Sequence, residues 1–267
     1  MSAQGGTGSA TKPAEGLEGV RAKALLKMAM LMGVSVWHPA VEVALASLKG
    51  HDRHRAARRA TQWARDLRRI LGIVTHESGQ RPQNGAIIVA NHRSYVDISA
   101  VMGAVPCAFL AKAEVAEWPV LGHAATVGNT VYVKRESAKS RKASRQALRE
   151  LLDDGISVAV FPEGTTTSGP GTLDFRPGVF AMAVRGEFPI VPAAIMYHDP
   201  DDAWVGDDPF PAHFLRRFSK REMHLSVCFG PEMRGDDVEA LRDRAQDWVR
   251  ETLARWEPER AGQPLVY

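Results

Sequence analysis

The chain has 267 residues, of which 45% are hydrophobic and 24% charged, with a formal net charge of +3. This length suits one α/β domain or at most two small domains, and the composition is that of an ordinary globular protein. The two cysteines, Cys107 and Cys228, lie far apart in apolar runs with no metal-ligand spacing. This argues against a metal site and favours two reduced core thiols in a cytosolic-facing protein.

The charge is unevenly distributed along the chain. Residues 1–72 contain twelve Lys or Arg and five Asp or Glu, which leaves the remainder of the chain slightly acidic. A basic N-terminal part on an acidic body predicts contact with an anionic partner. Lipid and nucleic acid are the two candidates.

The N-terminal part begins with a polar stretch and continues with an apolar one. Residues 1–20 are small and polar, lack the apolar core of a secretory signal, and are predicted to be a disordered tail. Residues 22–49 are apolar and helical in pattern, and Pro39 predicts that they form two helices or one kinked helix. No stretch reaches eighteen uncharged apolar residues, so a conventional transmembrane span is not expected.

Residues 52–74 have the pattern of a basic amphipathic helix. Apolar residues recur at spacings of three and four, and seven arginines occupy mostly the other positions. Such a helix is typical of a membrane surface, so residues 21–75 are predicted to be membrane-associated amphipathic helices. The side chains expected to touch the bilayer are Trp63, Arg58, Arg65 and Arg69. The alternative is a helix packed on its own domain with a solvated basic face. A nucleic-acid partner, which would bind with strong salt dependence, is not expected.

After Pro82, short apolar β-rich runs alternate with helical stretches. The runs are 86–90, 107–111, 130–134, 157–161, 190–195 and 223–230, and the main helical stretches are 97–104, 137–153, 177–186 and 236–256. This alternation predicts an α/β fold with a largely parallel sheet and helices on both faces. Residues 76–258 are predicted to form this domain, followed by a tail at 259–267.

Polar residues follow several of these strands directly, at the edge where open α/β sheets bind ligands. His92 follows the first strand and Asp97 comes five residues later, at a predicted helix start. Asp97 can accept the second N–H of the His92 imidazole and fix its tautomer, so that His92 acts as a general base on a substrate hydroxyl. The alternative is that Asp97 caps a helix and His92 lies in a turn.

Two further strand ends carry candidate binding residues. The run at 157–161 leads into Glu163, Gly164 and Thr165, where glycine permits close approach of a ligand and the threonine offers hydroxyl and N–H groups to an anion. Arg135 ends another strand and can hold a phosphate through two hydrogen bonds. The alternatives are a strand-ending turn and a surface charge.

Taken together, these motifs resemble the 1-acyl-glycerol-3-phosphate acyltransferase family. The pattern N-H-x-x-x-x-D, a strand ending in Arg, F-P-E-G-T and V-P occurs here in order. The matching positions are Asn91, His92, Asp97, Arg135, Phe161 to Thr165, and Val191–Pro192, and Arg176 stands in a stretch like the family's F-K-x-G step. The resemblance covers roughly residues 80–230.

The resemblance implies a mixed, glycerol-3-phosphate acyltransferase-like sheet wrapped by helices, with an N-terminal helical pair dipping into one leaflet. It implies that His92, oriented by Asp97, deprotonates the acceptor hydroxyl as it attacks a thioester donor, either acyl-CoA or acyl carrier protein. The substrate-binding residues it implies are Asn91, Arg135, Glu163, Gly164, Thr165 and Arg176. Neither a metal nor an organic cofactor is expected.

The expected reaction forms phosphatidic acid from lysophosphatidic acid in phospholipid biosynthesis. Thr166 stands where the family commonly has Arg or Lys. The same chemistry on another lysolipid, such as lyso-ornithine lipid or a lysophospholipid, therefore stays open. A membrane-binding module without catalysis is a further alternative. The expected location is peripheral or monotopic on the cytoplasmic face of the inner cell membrane.

Overall fold

A computed structural model describes residues 17–83, 85–220 and 222–260. The predicted tails lie mostly outside these residues. Residues 17–20, which were expected in the disordered N-terminal tail, belong to the first helix. Residues 259–260, expected in the C-terminal tail, belong to the last one.

Two helices precede the sheet, α1 (Leu17–Lys49) and α2 (Arg53–Leu71). α1 is one helix that continues through Pro39, so the expected alternative of two separate helices does not occur. Contacts with α2 hold it on both sides of the proline. Trp63 Nε1 donates to Ser35 Oγ at 3.0 Å, and Arg55 Nε donates to a carboxylate oxygen of Glu42 at 2.9 Å.

The apolar face of α2 packs inside the protein. Seven of its residues are buried: Ala56, Ala57, Ala60, Thr61, Ala64, Leu67 and Leu71. This packing matches the alternative prediction, in which the basic helix packs on its own domain. Trp63 is half-buried, and Arg58, Arg65 and Arg69 are exposed, although Arg65 also donates to the carbonyl of Gly103 at 2.9 Å. Contact of these four side chains with a bilayer stays a prediction.

The helical pattern through residue 74 was wrong, because a strand begins at residue 73. Gly72 adopts a left-handed conformation with φ of 74° and closes α2 by donating its N–H to carbonyls of the last turn. Strand β1 (Ile73–Gly79) follows at once and pairs in parallel with a strand near the C-terminus. The sequence missed β1 because Val74 also fits the helical spacing.

The sheet has seven strands among the described residues, and it confirms the predicted largely parallel α/β fold. After β1 come β2 (Ile87–Ala90), β3 (Cys107–Lys112), β4 (Val131–Val133), β5 (Ser157–Val160), β6 (Ile190–Tyr197) and β7 (Met223–Phe229). Their order across the sheet is β1-β7-β6-β2-β5-β3-β4. The β6–β7 pair is antiparallel and the other pairs are parallel, so the sheet is mixed.

Helices cover both faces of the sheet. They are α3 (Val96–Ala104), α4 (Leu121–Val127), α5 (Ala138–Asp153), α6 (Gly178–Gly186), α7 (Phe210–Phe218) and α8 (Val238–Arg260), with short 3-10 turns at Ala113–Glu117 and Pro200–Asp202. Helices α1, α2, α3 and α7 contribute to one buried apolar cluster, and α5, α6 and α8 contribute to a second. The sheet therefore separates two helical layers.

Helix α1 exposes a continuous apolar stripe. Its exposed large apolar residues are Leu25, Leu26, Met30, Val36, Trp37, Val43 and Leu48. At about 100° per residue they fall within an arc of about 140°. Residues Arg21–Lys49 are long and apolar enough to cross a membrane, by length and composition alone. The sequence pattern did not indicate this because Lys27 and Glu42 interrupt it. Both are turned inward, Lys27 onto the carbonyl of Leu71 and Glu42 onto α2.

Candidate active site

The site lies at the carboxyl edge of the sheet, where neighbouring strands β2 and β5 end. The turn after β2 folds His92 back onto the first turn of α3, which carries Asp97. His92 Nδ1 lies 2.8 Å from Asp97 Oδ2. About 20% of the His92 side chain is exposed, whereas Asp97 is fully buried. Among the described residues Nε2 of His92 has no hydrogen-bond partner, so a base can work from this nitrogen with Nδ1 protonated.

Asp97 is held by four donors. Besides His92 Nδ1, its Oδ2 accepts the backbone N–H groups of Arg93 at 2.6 Å and Ser94 at 2.9 Å. Its Oδ1 accepts the hydroxyl of Tyr197, at the end of β6, at 2.7 Å. Burial raises the pKa of Tyr197 well above its usual value, and the neighbouring Asp97 adds to this shift. Tyr197 therefore stays a neutral donor. The carboxylate is thus fixed in position, which fixes the imidazole.

Phe161 and Glu163, which follow β5, brace His92 from the other side. The Phe161 ring stacks on the imidazole with centroids 4.0 Å apart and planes within 7°. A carboxylate oxygen of Glu163 accepts the backbone N–H of His92 at 2.7 Å, and the other accepts the N–H of Leu173 at 2.8 Å. Burial raises the pKa of Glu163, and the two N–H donors act against this shift. Glu163 is buried, and both of its carboxylate oxygens already accept backbone N–H groups. Contact of Glu163 with substrate therefore stays a prediction.

Asn91 is fully buried beneath the site. Its side-chain amide makes both hydrogen bonds with the backbone of Ile195 on β6, accepting the N–H and donating to the carbonyl, each at 2.8 Å. In this structure Asn91 ties β2 to β6 directly before His92. Contact of Asn91 with substrate is a prediction that this geometry does not support.

The predicted binding residues of the rim do come together. Gly164 has φ of +78°, and a Cβ placed there would lie 2.9 Å from the Arg176 guanidinium carbon. The left-handed backbone explains why the position favours glycine, because the exposed Arg176 side chain could move away from a Cβ. Arg135 Nη1 donates to the carbonyl of Gly164. Burial lowers the pKa of Arg135, and the like charge of Arg176 lowers it further. Thr165 and Arg176 are exposed at this rim.

An apolar cavity begins beside the His92–Phe161 stack. Its wall includes Phe109, whose ring lies 5.8 Å from that of Phe161. The cavity extends away from the sheet edge between α1, α2, α3, α4 and α7. Representative wall residues are Leu31, Ala60, Val96, Trp118 and Phe214. Its polar surface is small, which suits a hydrocarbon chain.

Sequence reasoning missed Tyr197 and the aromatic part of this cavity wall. Tyr197 ends an apolar strand that is read as core, and only the sheet order brings it to Asp97, 100 residues away. Phe210 and Phe214 come from α7, in a segment without any catalytic motif. One sequence signal could have indicated Tyr197. It lies at the carboxyl end of a strand, where α/β sheets bind ligands.

Known proteins are similar to this chain over most of its length. The family model described as Acyltransferase matches residues 72–196. A lyso-ornithine lipid O-acyltransferase of Pseudomonas aeruginosa is 32% identical over 242 residues, covering 87% of this chain and 91% of that protein. A 1-acyl-sn-glycerol-3-phosphate acyltransferase of Neisseria gonorrhoeae is 30% identical over 195 residues, covering 69% and 75%.

A solved structure shares the fold. The crystal structure of the 1-acyl-sn-glycerophosphate acyltransferase of Thermotoga maritima matches with a TM-score of 0.60 at 20% identity, covering 88% of this chain and 98% of that one. The family model and the relatives define an acyltransferase, and the solved structure shares the mixed-sheet fold. The chain belongs to the 1-acyl-glycerol-3-phosphate acyltransferase family, as its motifs predicted.

Proposed function

We propose that the protein transfers a fatty acyl group from a thioester donor to the free hydroxyl of a lysolipid, with His92 as the general base. One observation carries this proposal. Nδ1 of His92 is held 2.8 Å from the buried Asp97, while Nε2 has no hydrogen-bond partner among the described residues. The Phe161 ring stacked on this imidazole lies next to the apolar cavity wall at Phe109 and lines a second cavity together with the rim cations Arg135 and Arg176. Such an arrangement suits a substrate with a hydrocarbon chain, a hydroxyl and an anionic head group.

The reaction needs only this chain's own groups and the two substrates. His92 Nε2 takes the proton of the acceptor hydroxyl as the oxygen attacks the thioester carbonyl carbon. The tetrahedral intermediate then collapses and its carbon–sulfur bond breaks. The departing thiolate receives the proton from the imidazolium, which Asp97 stabilises in the interval. The products are the acylated lipid and a free thiol, and no metal or organic cofactor takes part.

The acceptor we propose first is lysophosphatidic acid, which gives phosphatidic acid. Arg135 and Arg176 lie together at the Gly164 turn and supply two cations for a phosphate. A lyso-ornithine lipid is the second candidate. It is supported by the relative from Pseudomonas aeruginosa, which this chain matches over 91% of that protein's length. Thr166 also supports it, because this site lacks a third cation there.

We further propose that α1 seats the protein on the cytoplasmic face of the inner membrane. From Leu25 to Leu48 the apolar stripe runs about 35 Å at 1.5 Å per residue. The opposite side of α1 packs on α2, α4 and α7, so lipid cannot surround the helix. A helix with one lipid-facing side lies in the interface rather than crossing it. The apolar cavity adjoins this helix, so a lipid chain can enter from the membrane.

The test is a thiol-release assay with palmitoyl-CoA or palmitoyl-acyl carrier protein against lysophosphatidic acid, lyso-ornithine lipid and a lysophospholipid. We expect His92→Ala to lose transfer with every acceptor, because no other described group replaces the base at this position. The matched control is His123→Ala, which removes an exposed histidine of α4 and should keep the wild-type rate.

The outcomes separate the parts of the proposal. Thiol release with lysophosphatidic acid alone supports lysophosphatidic acid as the acceptor. Thiol release with lyso-ornithine lipid alone supports lyso-ornithine lipid instead. Undiminished turnover by His92→Ala would contradict the assignment of the base. A wild-type protein that binds vesicles yet transfers to none of the three lipids would favour a membrane-binding module without catalysis.

A further inference from the structure

A groove between α5 and α6 carries a dense cluster of cations. Helix α5 contributes Lys139, Lys142, Arg145 and Arg149, and α6 contributes Arg185. All five side chains are exposed, and the groove is open, with a volume of about 760 Å³. These five residues form the α5–α6 groove.

These cations are mostly left without partners inside the protein. Within the described ranges, no carboxylate forms an ion pair with Lys139, Lys142, Arg145 or Arg185, and only Arg149 is paired, with Asp153 at 3.4 Å. Yet the surrounding chain is acidic. Residues 134–149 contain seven Lys or Arg and one Glu, whereas residues 150–267 contain twelve Lys or Arg and 21 Asp or Glu. Such a local positive field in an acidic domain attracts a polyanionic partner.

The α5–α6 groove is continuous with the active site. A neighbouring cavity shares Arg145 and Met182 with the groove and extends to Arg135, Gly164 and Phe161. Because the Phe161 ring stacks on the His92 imidazole, this cavity ends beside the base. A slender chain can therefore run from the groove to the reacting atoms. The apolar cavity for hydrocarbon also lies close to Phe161, through its wall residue Phe109.

The shape of the groove favours a protein surface over a nucleotide. Among the described residues no aromatic side chain lines it, so it offers no platform on which an adenine ring could stack. Small-molecule sites are usually concave and mostly apolar, which this open cationic surface is not. The α5 cations extend from residue 139 to residue 149, about 15 Å along the helix at 1.5 Å per residue. That length matches a row of carboxylates along a partner's helix.

The position of the groove favours a soluble partner over anionic lipid. Helix α1, with its exposed apolar stripe, belongs to the helical layer on one face of the sheet, and α5 and α6 belong to the layer on the other. When the stripe of α1 rests on a bilayer, the sheet stands between that bilayer and the α5–α6 groove. The groove then remains open to the aqueous phase.

We propose that the α5–α6 groove docks the acidic surface of an acyl carrier protein, whose phosphopantetheine arm follows the neighbouring cavity to His92. This inference rests on the function proposed above and assigns its donor. The carrier's carboxylates pair with the groove cations, and the thioester at the end of the arm lies beside the base. The partner's charge guides its approach more than it adds binding energy.

The experiment compares two donors on the full-length protein in lipid vesicles. The variant Lys139→Glu/Lys142→Glu reverses two groove charges on side chains that do not line the neighbouring cavity. The control Arg244→Glu/Arg255→Glu makes the same change in net charge on exposed positions of α8. For the groove variant we expect KM for palmitoyl-acyl carrier protein to rise at least about tenfold, with kcat changed less than about twofold. KM for palmitoyl-CoA and sedimentation with vesicles should match the control.

Each other outcome overturns the proposal. A larger rise in KM for palmitoyl-CoA would assign the groove to the nucleotide of coenzyme A. Unchanged KM for palmitoyl-acyl carrier protein would show that the carrier does not dock there, as would a wild type that uses only palmitoyl-CoA. Loss of vesicle binding in the groove variant would assign the groove to anionic lipid. Failure of the proposed function is separately visible, because the wild type would then release no thiol with either donor.

Discussion

The variant Asp97→Asn isolates the electrostatic part of the proposed mechanism. Asparagine has the shape of aspartate, so its carbonyl oxygen can still accept the His92 Nδ1–H and the backbone N–H groups of Arg93 and Ser94 where Oδ2 now accepts them. The Tyr197 hydroxyl can rotate and accept from the new amide. The ring and its tautomer are then retained, and the negative charge beside the imidazolium is lost.

The size of the effect follows from the distance. Nδ1 and Oδ2 are 2.8 Å apart, so the two charge centres are separated by about 4 Å once the His92 proton is taken up. Two unit charges about 4 Å apart attract by about 4 kcal/mol at an effective dielectric constant of about 20. Since each 1.36 kcal/mol changes a rate about tenfold, kcat should fall by about 10²- to 10³-fold, the amide dipole offsetting part of the loss.

The assay is kcat from thiol release at saturating donor and acceptor, with thermal unfolding as the check on the fold. The matched variant is Tyr197→Phe, which removes a neutral donor from Asp97 and leaves the charge in place. It should slow turnover by less than about tenfold. If Asp97→Asn keeps kcat within tenfold of wild type, or if Tyr197→Phe is equally slow, the imidazolium does not depend on this charge and the reasoning is refuted.

Two further changes test the rim and the membrane surface. Gly164→Ala forces a side chain into a left-handed position 2.9 Å from the Arg176 guanidinium carbon, so we expect a loss of about 1–2 kcal/mol in stability and a raised KM for the acceptor. Thermal unfolding and kinetics check this, and an unaltered melting temperature would contradict it. Leu26→Glu/Trp37→Glu places two charges on the exposed stripe of α1 and should reduce vesicle co-sedimentation without changing thermal unfolding. Full retention on vesicles would exclude the stripe as the anchor.

The sequence alone predicted six of the strands and the contact between His92 and Asp97. Six of the seven described strands are short, apolar and bounded by polar residues, so their periodicity was sufficient. The contact between His92 and Asp97 followed from a five-residue separation at a strand end, which a single turn can close. Phe161 to Thr165 were recognisable because they end an apolar run and resemble a motif of the family. In each case the determining interactions are local in the chain.

Tertiary structure decided which interactions hold these residues. Strand β1 was missed because Val74 also fits the helical pattern, and its strand character depends on pairing with β7, about 150 residues later. The Tyr197–Asp97 hydrogen bond, like the burial of Asn91 against Ile195, exists only because β6 lies beside β2.

The exposed stripe of α1 and the α5–α6 groove also depend on tertiary structure more than on local sequence. Spacing predicted an amphipathic α2, but only packing shows that its apolar face meets α1 and α3, which leaves the stripe of α1 exposed instead. The α5–α6 groove joins residues that are 36 or more positions apart in sequence, from Arg149 to Arg185. Local patterns fix which residues share a face of one element. Which face meets which partner depends on the whole sheet order, because those contacts join segments that no short-range pattern links.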